Sequence, residues 1–287
     1  LEENGAAVDL LCTTVYSDNK RHREVKWSHR EGATDVYLPY EVKRTKRFVS
    51  ELFLFSKFLK KMDLYKYDVV IAYLVHLPFL RALKKSKLIN KSIKTVLVCP
   101  DLFNMMDLKA SFFKKFAKRI EKLFLNNYFK YVDGYVLFTK YMIEQMPIKE
   151  GKYIVVEGVN STEPNFSLKQ RKNNPFVLMY AGSLQFNFGI ENIIDAIDLI
   201  KNEGIELHIY GDGPLSQIVI EKSHSNPCVK FYRFVDHNIV VQREREADLL
   251  INCRDPLLEY TKYSFPSKTF EYLLSGTPFL TTRLRGI

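Results

Sequence analysis

The stretch Phe176-Val177-Leu178-Met179-Tyr180-Ala181-Gly182-Ser183-Leu184 opens the part of the chain whose reading decides the fold. Phe176 to Ala181 is an apolar run closed by glycine, which reads as a buried strand running into a tight turn. Ile190–Lys201 then carries Ile190, Ile193, Ile194, Ile197 and Ile200, spaced three, one, three and three. That spacing makes a helix with one apolar face. Further strands are expected at Glu206–Tyr210, Val229–Tyr232, Asp248–Cys253 and Pro278–Thr282. Helices are expected from Pro214, near Asn238–Glu246 and over Ser267–Leu274. Strands alternating with helices argue for a mostly parallel sheet covered on both faces.

The same alternation precedes this stretch. Ala7–Thr13, Asp68–Val75, Thr95–Cys99, Gly134–Phe138 and Tyr153–Val156 read as strands, and Arg47–Lys60, Pro78–Lys87 and Leu108–Lys130 as helices. Residues 161–175 are polar and hold two prolines, a linker composition. The expectation is α/β, two tandem Rossmann-like domains covering 1–165 and 166–287. A chain that begins at Leu1 rather than Met, and stops just after a strand, reads as a fragment cut at both ends.

Composition narrows the classes. Of 287 residues, 46% are hydrophobic and 26% charged, a globular rather than a disordered balance. Cys12, Cys99, Cys228 and Cys253 are scattered with no Cys-x-x-Cys, which fits a reducing cytoplasm rather than a disulfide or zinc framework. No apolar run reaches the ~18–20 residues of a membrane span. The formal charge of +10 is unevenly placed: residues 1–170 carry 30 basic and 19 acidic side chains, residues 171–287 carry 13 and 14.

Ligands of doubly wound sheets bind at the carboxyl ends of strands. Gly182-Ser183 follows the first strand of the second domain, and Gly211-Asp212-Gly213 follows the next. Ser216 stands where a dinucleotide fingerprint would place its third glycine, so the pair does not read as an NAD site. After Cys253 comes a loop holding Arg254, then Tyr263-Ser264-Phe265-Pro266-Ser267-Lys268-Thr269-Phe270-Glu271, ending in Leu274-Ser275-Gly276-Thr277-Pro278. Pro266 suits a helix start, Ser267 a cap and Gly276 a helix end. A helix starting there offers free N–H groups and a positive dipole end to a diphosphate, with Lys268 adding a full charge. Glu271 is placed to accept from a ribose diol. The plainer alternative is that Lys268 and Glu271 simply pair with each other at i, i+3.

Residues 176–287 resemble the nucleotide-sugar-binding domain of GT-B glycosyltransferases of the retaining family 4 type, with the flavour of capsule and O-antigen enzymes. Phe265–Pro278 resembles the Phe-Pro-x-x-x-x-Glu-x-x-x-x-Gly-x-Pro segment of that family, and the two glycine turns precede it at the expected spacings. Val155–Asn160 resembles its Ile-Pro-Asn-Gly-Val-Asp segment, and Cys99-Pro100-Asp101-Leu102 its His-Asp turn. The resemblance implies sugar transfer, with retention, from a nucleotide diphosphate sugar to a glycan or lipid-linked acceptor. It also implies no metal, and the sequence has no Asp-x-Asp. Glu271 would face the donor ribose, and Gly182, Ser183, Ser267 and Lys268 the donor diphosphate. The chain departs from the pattern where Tyr263 stands for the first glutamate, Ser183 and Phe188 for an arginine and a lysine, and Pro100 for the histidine. Lys268 and Arg254 are the cations available to substitute. Asp101 and His76, each after a strand, are the candidate catalytic groups.

In Leu108–Tyr131, phenylalanines and leucines interleave with lysines at helical spacing. Lys43, Arg44, Lys46 and Arg47 form a second basic cluster, and Lys84, Lys85 and Lys87 a third. Such surfaces suit an anionic membrane; no nucleic-acid motif accompanies them. The expected setting is the inner face of the cytoplasmic membrane, in cell-surface polysaccharide synthesis. The rival readings are a non-catalytic partner subunit of the same fold and a GT-B sugar-nucleotide epimerase.

Overall fold

The computed structural model describes residues 5–13, 26–30, 33–38, 44–102, 125–158, 174–200 and 204–285. In chain order the elements are β1 (Leu10–Thr13), β2 (Lys26–Arg30), β3 (Ala33–Leu38), α1 (Arg44–Phe58), β4 (Val69–Tyr73), α2 (Leu77–Ile89), β5 (Lys94–Cys99), β6 (Gly134–Leu137) and β7 (Tyr153–Val155). There follow β8 (Phe176–Ala181), α3 (Ile190–Ile200), β9 (Ile205–Tyr210), α4 (Ser216–Ser225), β10 (Val229–Arg233), α5 (His237–Glu246), β11 (Leu249–Asn252), α6 (Lys268–Ser275) and β12 (Phe279–Thr281). The expected helix Leu108–Lys130 lies mostly outside the described residues, as do Lys43 and most of the linker.

The described residues fall in two compact units. One holds the chain up to Cys99 together with 125–136 and 147–153; the other holds 100–102, 137–146 and the chain from Ile154.

In the first unit, β1 pairs with β3 in parallel, Leu10 opposite Asp35, and β2 pairs with β3 antiparallel, Trp27 opposite Val36. The alternation read from sequence passes over β2 and β3. Lys26-Trp27-Ser28-His29-Arg30 has one large apolar side chain, and in β3 Asp35 interrupts the apolar pattern although it is itself buried beside Val36. A second sheet runs in the order β4-β5-β6-β7, of which Leu137 in β6 and Ile154 and Val155 in β7 are counted with the second unit. Pro78 sits in the first turn of α2, where its missing N–H costs nothing. Leu80 and Leu83 point inward from that helix.

In the second unit, one five-stranded sheet runs β10-β9-β8-β11-β12, every neighbouring pair parallel. Its core forms where Leu178, Tyr180, Leu207 and Ile209 meet Ile190, Ile193, Ile194 and Ile197 of α3. Burying each of those isoleucines contributes about 1.5–3 kcal/mol. Ile200, expected on the same face, is 49% exposed. It is the last residue of α3. Asp236 caps α5 by accepting from the Asn238 amide, 2.9 Å. Gly276 ends α6 with φ 74°, as its position in the sequence predicts. Among the described residues no helix is long and apolar enough to cross a membrane.

Candidate functional site

Because β8, β9 and β11 run parallel, their carboxyl ends share one edge of the sheet. The Gly182 and Gly211–Gly213 turns leave from that edge laced together. Gly182 N–H donates to the Tyr210 carbonyl at 3.0 Å and Leu184 N–H to the Asp212 carbonyl at 2.9 Å. A Cβ on Gly211 (φ +139°) would lie 1.8 Å from the Gly182 carbonyl oxygen, and one on Gly213 2.7 Å from that of Leu184. Close turn packing therefore demands these glycines whatever else the turns do. Asp212 is occupied locally: its Oδ1 accepts from Ser216 Oγ at 2.6 Å and from the Gly213 amide at 2.8 Å. Those bonds, Ser216 first, hold its carboxyl below the usual range. Ser216 thus serves the turn from the position where a fingerprint glycine would stand. Ser183 is exposed, its Oγ accepting from Gln185 at 3.1 Å.

Arg254 follows β11 at the same edge. Its guanidinium lies 4.4 Å over the Phe188 ring, and Nη1 donates to Ser264 Oγ at 3.3 Å. Ser264 Oγ donates in turn to Asp101 Oδ1 at 3.3 Å. Nε of Arg254 is buried with no partner among the described residues. Burial pulls the Arg254 pKa down and pushes that of Asp101 up, while the Ser264 bond and the Arg254 charge pull Asp101 back. The fold therefore supplies a cation beside Phe188 from a different segment of the chain.

The helix α6 begins after Pro266. Ser267 occupies the N-cap with φ −53° and ψ −32° and makes no side-chain cap bond, so the capping expected of it is not formed. Lys268 Nζ bridges two carboxylates, 2.6 Å from Glu271 Oε1 and 3.1 Å from Glu244 Oε1. Glu244 has no exposed side-chain surface, and its Oε2 is buried without a hydrogen-bond partner among the described residues. Burial is the largest influence on it and raises its pKa; Lys268 opposes that and the charge of Glu271 adds to it. His237 Nδ1 stands 3.7 Å from Glu271 Oε1. The i, i+3 pairing of Lys268 with Glu271 is thus present, and Lys268 is not a free charge. Glu244 and His237 escaped the sequence reading. The available signal was spacing: Val240 and Glu244 are four apart and share the buried face of α5.

Tyr263 is 2% exposed. Its hydroxyl accepts from Gln145 at 3.1 Å and donates to Glu144 at 3.3 Å, and Lys262 also pairs with Glu144. Its polar group is spent on the turn Lys140–Gln145. His76 belongs to the first unit, at the N-cap of α2, with Nε2 3.3 Å from Glu51 Oε2 and its ring edge on Phe79. Gly182, Ser183, Gly211–Gly213, Arg254, Pro266–Lys268, Glu271 and Asp101 all fall in the second unit.

Residues 175–287 match the family model described as Glycosyl transferases group 1. Glycogen synthase of Mycobacterium tuberculosis is 23% identical over 137 residues, 47% of this chain. The chain spans about a third of the length of the curated relatives it matches.

Sucrose-phosphate synthase from Thermosynechococcus elongatus superposes with a TM-score of 0.66 at 15% identity, covering 99% of this chain and 73% of that one. The HepE protein of Anabaena, solved in complex with UDP, gives 0.58 at 16%, covering 81% and 64%. The lipopolysaccharide outer core galactosyltransferase WaaB gives 0.54 at 18%, covering 83% and 61%. These likenesses show the fold, the mixed α/β architecture with parallel sheets of GT-B glycosyltransferases.

Proposed function

We propose that the chain is part of a glycosyltransferase that moves a sugar, with retention of configuration, from a nucleotide diphosphate donor to a lipid-linked or polysaccharide acceptor. The observation that carries this is the convergence of Arg254 and the start of α6 with Glu271 at one edge of the parallel sheet, within the segment matching the glycosyltransferase family. That neighbours of the same fold were solved with UDP and with UDP-glucose supports a nucleotide-sugar donor.

In this reading the Glu271 carboxylate accepts from the ribose hydroxyls, and Lys268, held by Glu244, fixes its orientation. The amides at Ser267 and Lys268, the positive end of α6 and the Arg254 guanidinium take the diphosphate. Fixed donors aimed at a leaving diphosphate stabilise the charge it develops, usually the largest catalytic contribution. Asp101, tied to Arg254 through Ser264, positions that cation; His76 is the candidate group in the acceptor-side unit. No metal enters this scheme. The basic first part faces an anionic membrane, on the cytoplasmic side.

Calorimetric titration of uridine diphosphate into wild type and Glu271→Ala tests the assignment. Losing a charge-assisted bond pair weakens binding about tenfold or more; equal affinity overturns the role of Glu271. A second reading, a non-catalytic subunit of the same fold, is favoured by the burial of Tyr263 and the neutralisation of Lys268. Sugar-nucleotide turnover by the full-length protein excludes it.

A further inference from the structure

Two helical stripes in the first unit face one cavity of about 440 Å³. From α1 and the turn after it come Phe53, Ser56, Lys57 and Lys60; from α2 come Arg81, Lys84, Lys85 and Leu88. Both sets are spaced three, one and three, the step that keeps side chains on one helix face. Five of these eight side chains are cations and none is a carboxylate.

Among the described residues none of the five cations pairs with an acid. Lys87, two positions past Lys85 on α2, does so instead, 2.6 Å from Asp133. Two of the cations are held by aromatic faces: Arg81 lies 4.7 Å over Phe53, and Lys84 5.4 Å over Tyr128. Ser56 Oγ is buried at the cavity with no hydrogen-bond partner among the described residues. At the rim Phe53 is 54% and Leu88 59% exposed. Gathering five like charges is unfavourable unless an anion offsets it. The unpartnered hydroxyl and the exposed apolar rim add what a phosphate ester carrying a hydrocarbon chain would use.

We propose that this groove binds the phosphate headgroup of an anionic amphiphile. The lysines and Arg81 take the phosphate oxygens, Ser56 Oγ donates to one of them, and Phe53 and Leu88 lie against the hydrocarbon next to the headgroup. The proposal deepens the acceptor-side part of the proposed function by naming its site. It does not depend on the donor site, whose test is nucleotide binding.

The experiment is co-sedimentation of the full chain with vesicles of equal parts phosphatidylcholine and phosphatidylglycerol, against phosphatidylcholine alone, with inorganic pyrophosphate as competitor. Each lysine at an anionic surface is worth about fivefold in affinity, so Lys84→Gln with Lys85→Gln should lower binding about 25-fold. The double control Lys91→Gln with Lys94→Gln removes the same charge at exposed positions outside the cavity and should change it less than about twofold. Leu88→Ser, at an exposed position that holds none of the cations, should weaken vesicle binding severalfold and leave pyrophosphate binding unchanged. Equal losses in both lysine doubles would overturn the site, since net charge alone would then explain binding. Pyrophosphate binding without vesicle binding would overturn the amphiphile. Tighter binding of a short oligonucleotide than of vesicles would overturn it in favour of nucleic acid. Melting temperatures of each variant confirm that the fold is kept.

Discussion

Lys268 Nζ lies 3.1 Å from Oε1 of Glu244, a carboxylate with no exposed surface at the base of the candidate donor site. A buried carboxylate needs its counter-ion more than the pair needs to exist, because desolvation is only offset while both partners remain. Lys268→Met should therefore destabilise the protein by about 1–3 kcal/mol, a loss limited because Glu244 can take up a proton near neutral pH. Glu244→Gln should cost clearly less, since Lys268 keeps Glu271. Urea denaturation of the two variants side by side checks the order.

The same contact has a pH signature. Burial raises the Glu244 pKa, so the folded state holds its proton more tightly than the unfolded state. Stability then falls as pH rises above the ordinary glutamate range. Glu244→Gln has no proton to lose there and should flatten that fall. Denaturation midpoints from acid to neutral pH provide the measurement, and parallel profiles for the two proteins would count against it.

Gly211→Ala should destabilise by about 1–3 kcal/mol from backbone conformation alone, and by more once its Cβ meets the Gly182 carbonyl oxygen 1.8 Å away. Gly151 also has positive φ, +76°, but nothing lies near its missing Cβ. Gly151→Ala should cost only about 1–2 kcal/mol. Thermal melting separates the steric part as the difference between the two.

Arg254→Lys tests whether a planar fork is needed beside Phe188. A lysine keeps the charge and loses both the stacking and the paired donors. Uridine diphosphate affinity should fall about tenfold, with the urea midpoint little changed; an unchanged affinity would remove Arg254 from the donor site.

In the first unit, Asp133 Oδ2 accepts from Lys87 at 2.6 Å and from the amide of the fully buried Thr95 at 2.9 Å. Burial alone would raise this carboxyl, but the Lys87 and Thr95 bonds outweigh it and hold the pKa below the usual range. Its stabilisation is present above the ordinary aspartate range and is lost as pH falls. Asp133→Asn should cost about 1–3 kcal/mol at neutral pH and less in acid, read from denaturation at each pH.

The second unit was largely legible in the sequence. Phe176–Ala181 is a strand with the bounds its apolar run predicts, and α3 and α6 begin within a residue of their expected starts. Both signals are local, a hydrophobic period and a turn residue. In the first part the alternation passes over β2, an edge strand with one large apolar side chain, and over β3, a central strand whose apolar pattern the buried Asp35 interrupts. Of the basic clusters, Lys84, Lys85 and Lys87 are adjacent in sequence, yet two line the cavity and the third pairs with Asp133. Helical rotation of ~100° per residue separates them, and composition cannot see it.

The candidate site divides in the same way. The alternation, the glycine turns and the Phe265–Pro278 segment determined the α/β fold and the sheet edge on which the candidate site lies, because periodicity and turn chemistry are written in consecutive residues. Only the tertiary structure decided which groups remain free there. It spent Tyr263 on Glu144 and Gln145, tied Lys268 to a buried Glu244 from another helix, and set Arg254 over Phe188. Those outcomes depend on which side chains from distant segments are buried together, and a charge's partner in a low-dielectric interior is a property of the packed fold rather than of its neighbours along the chain.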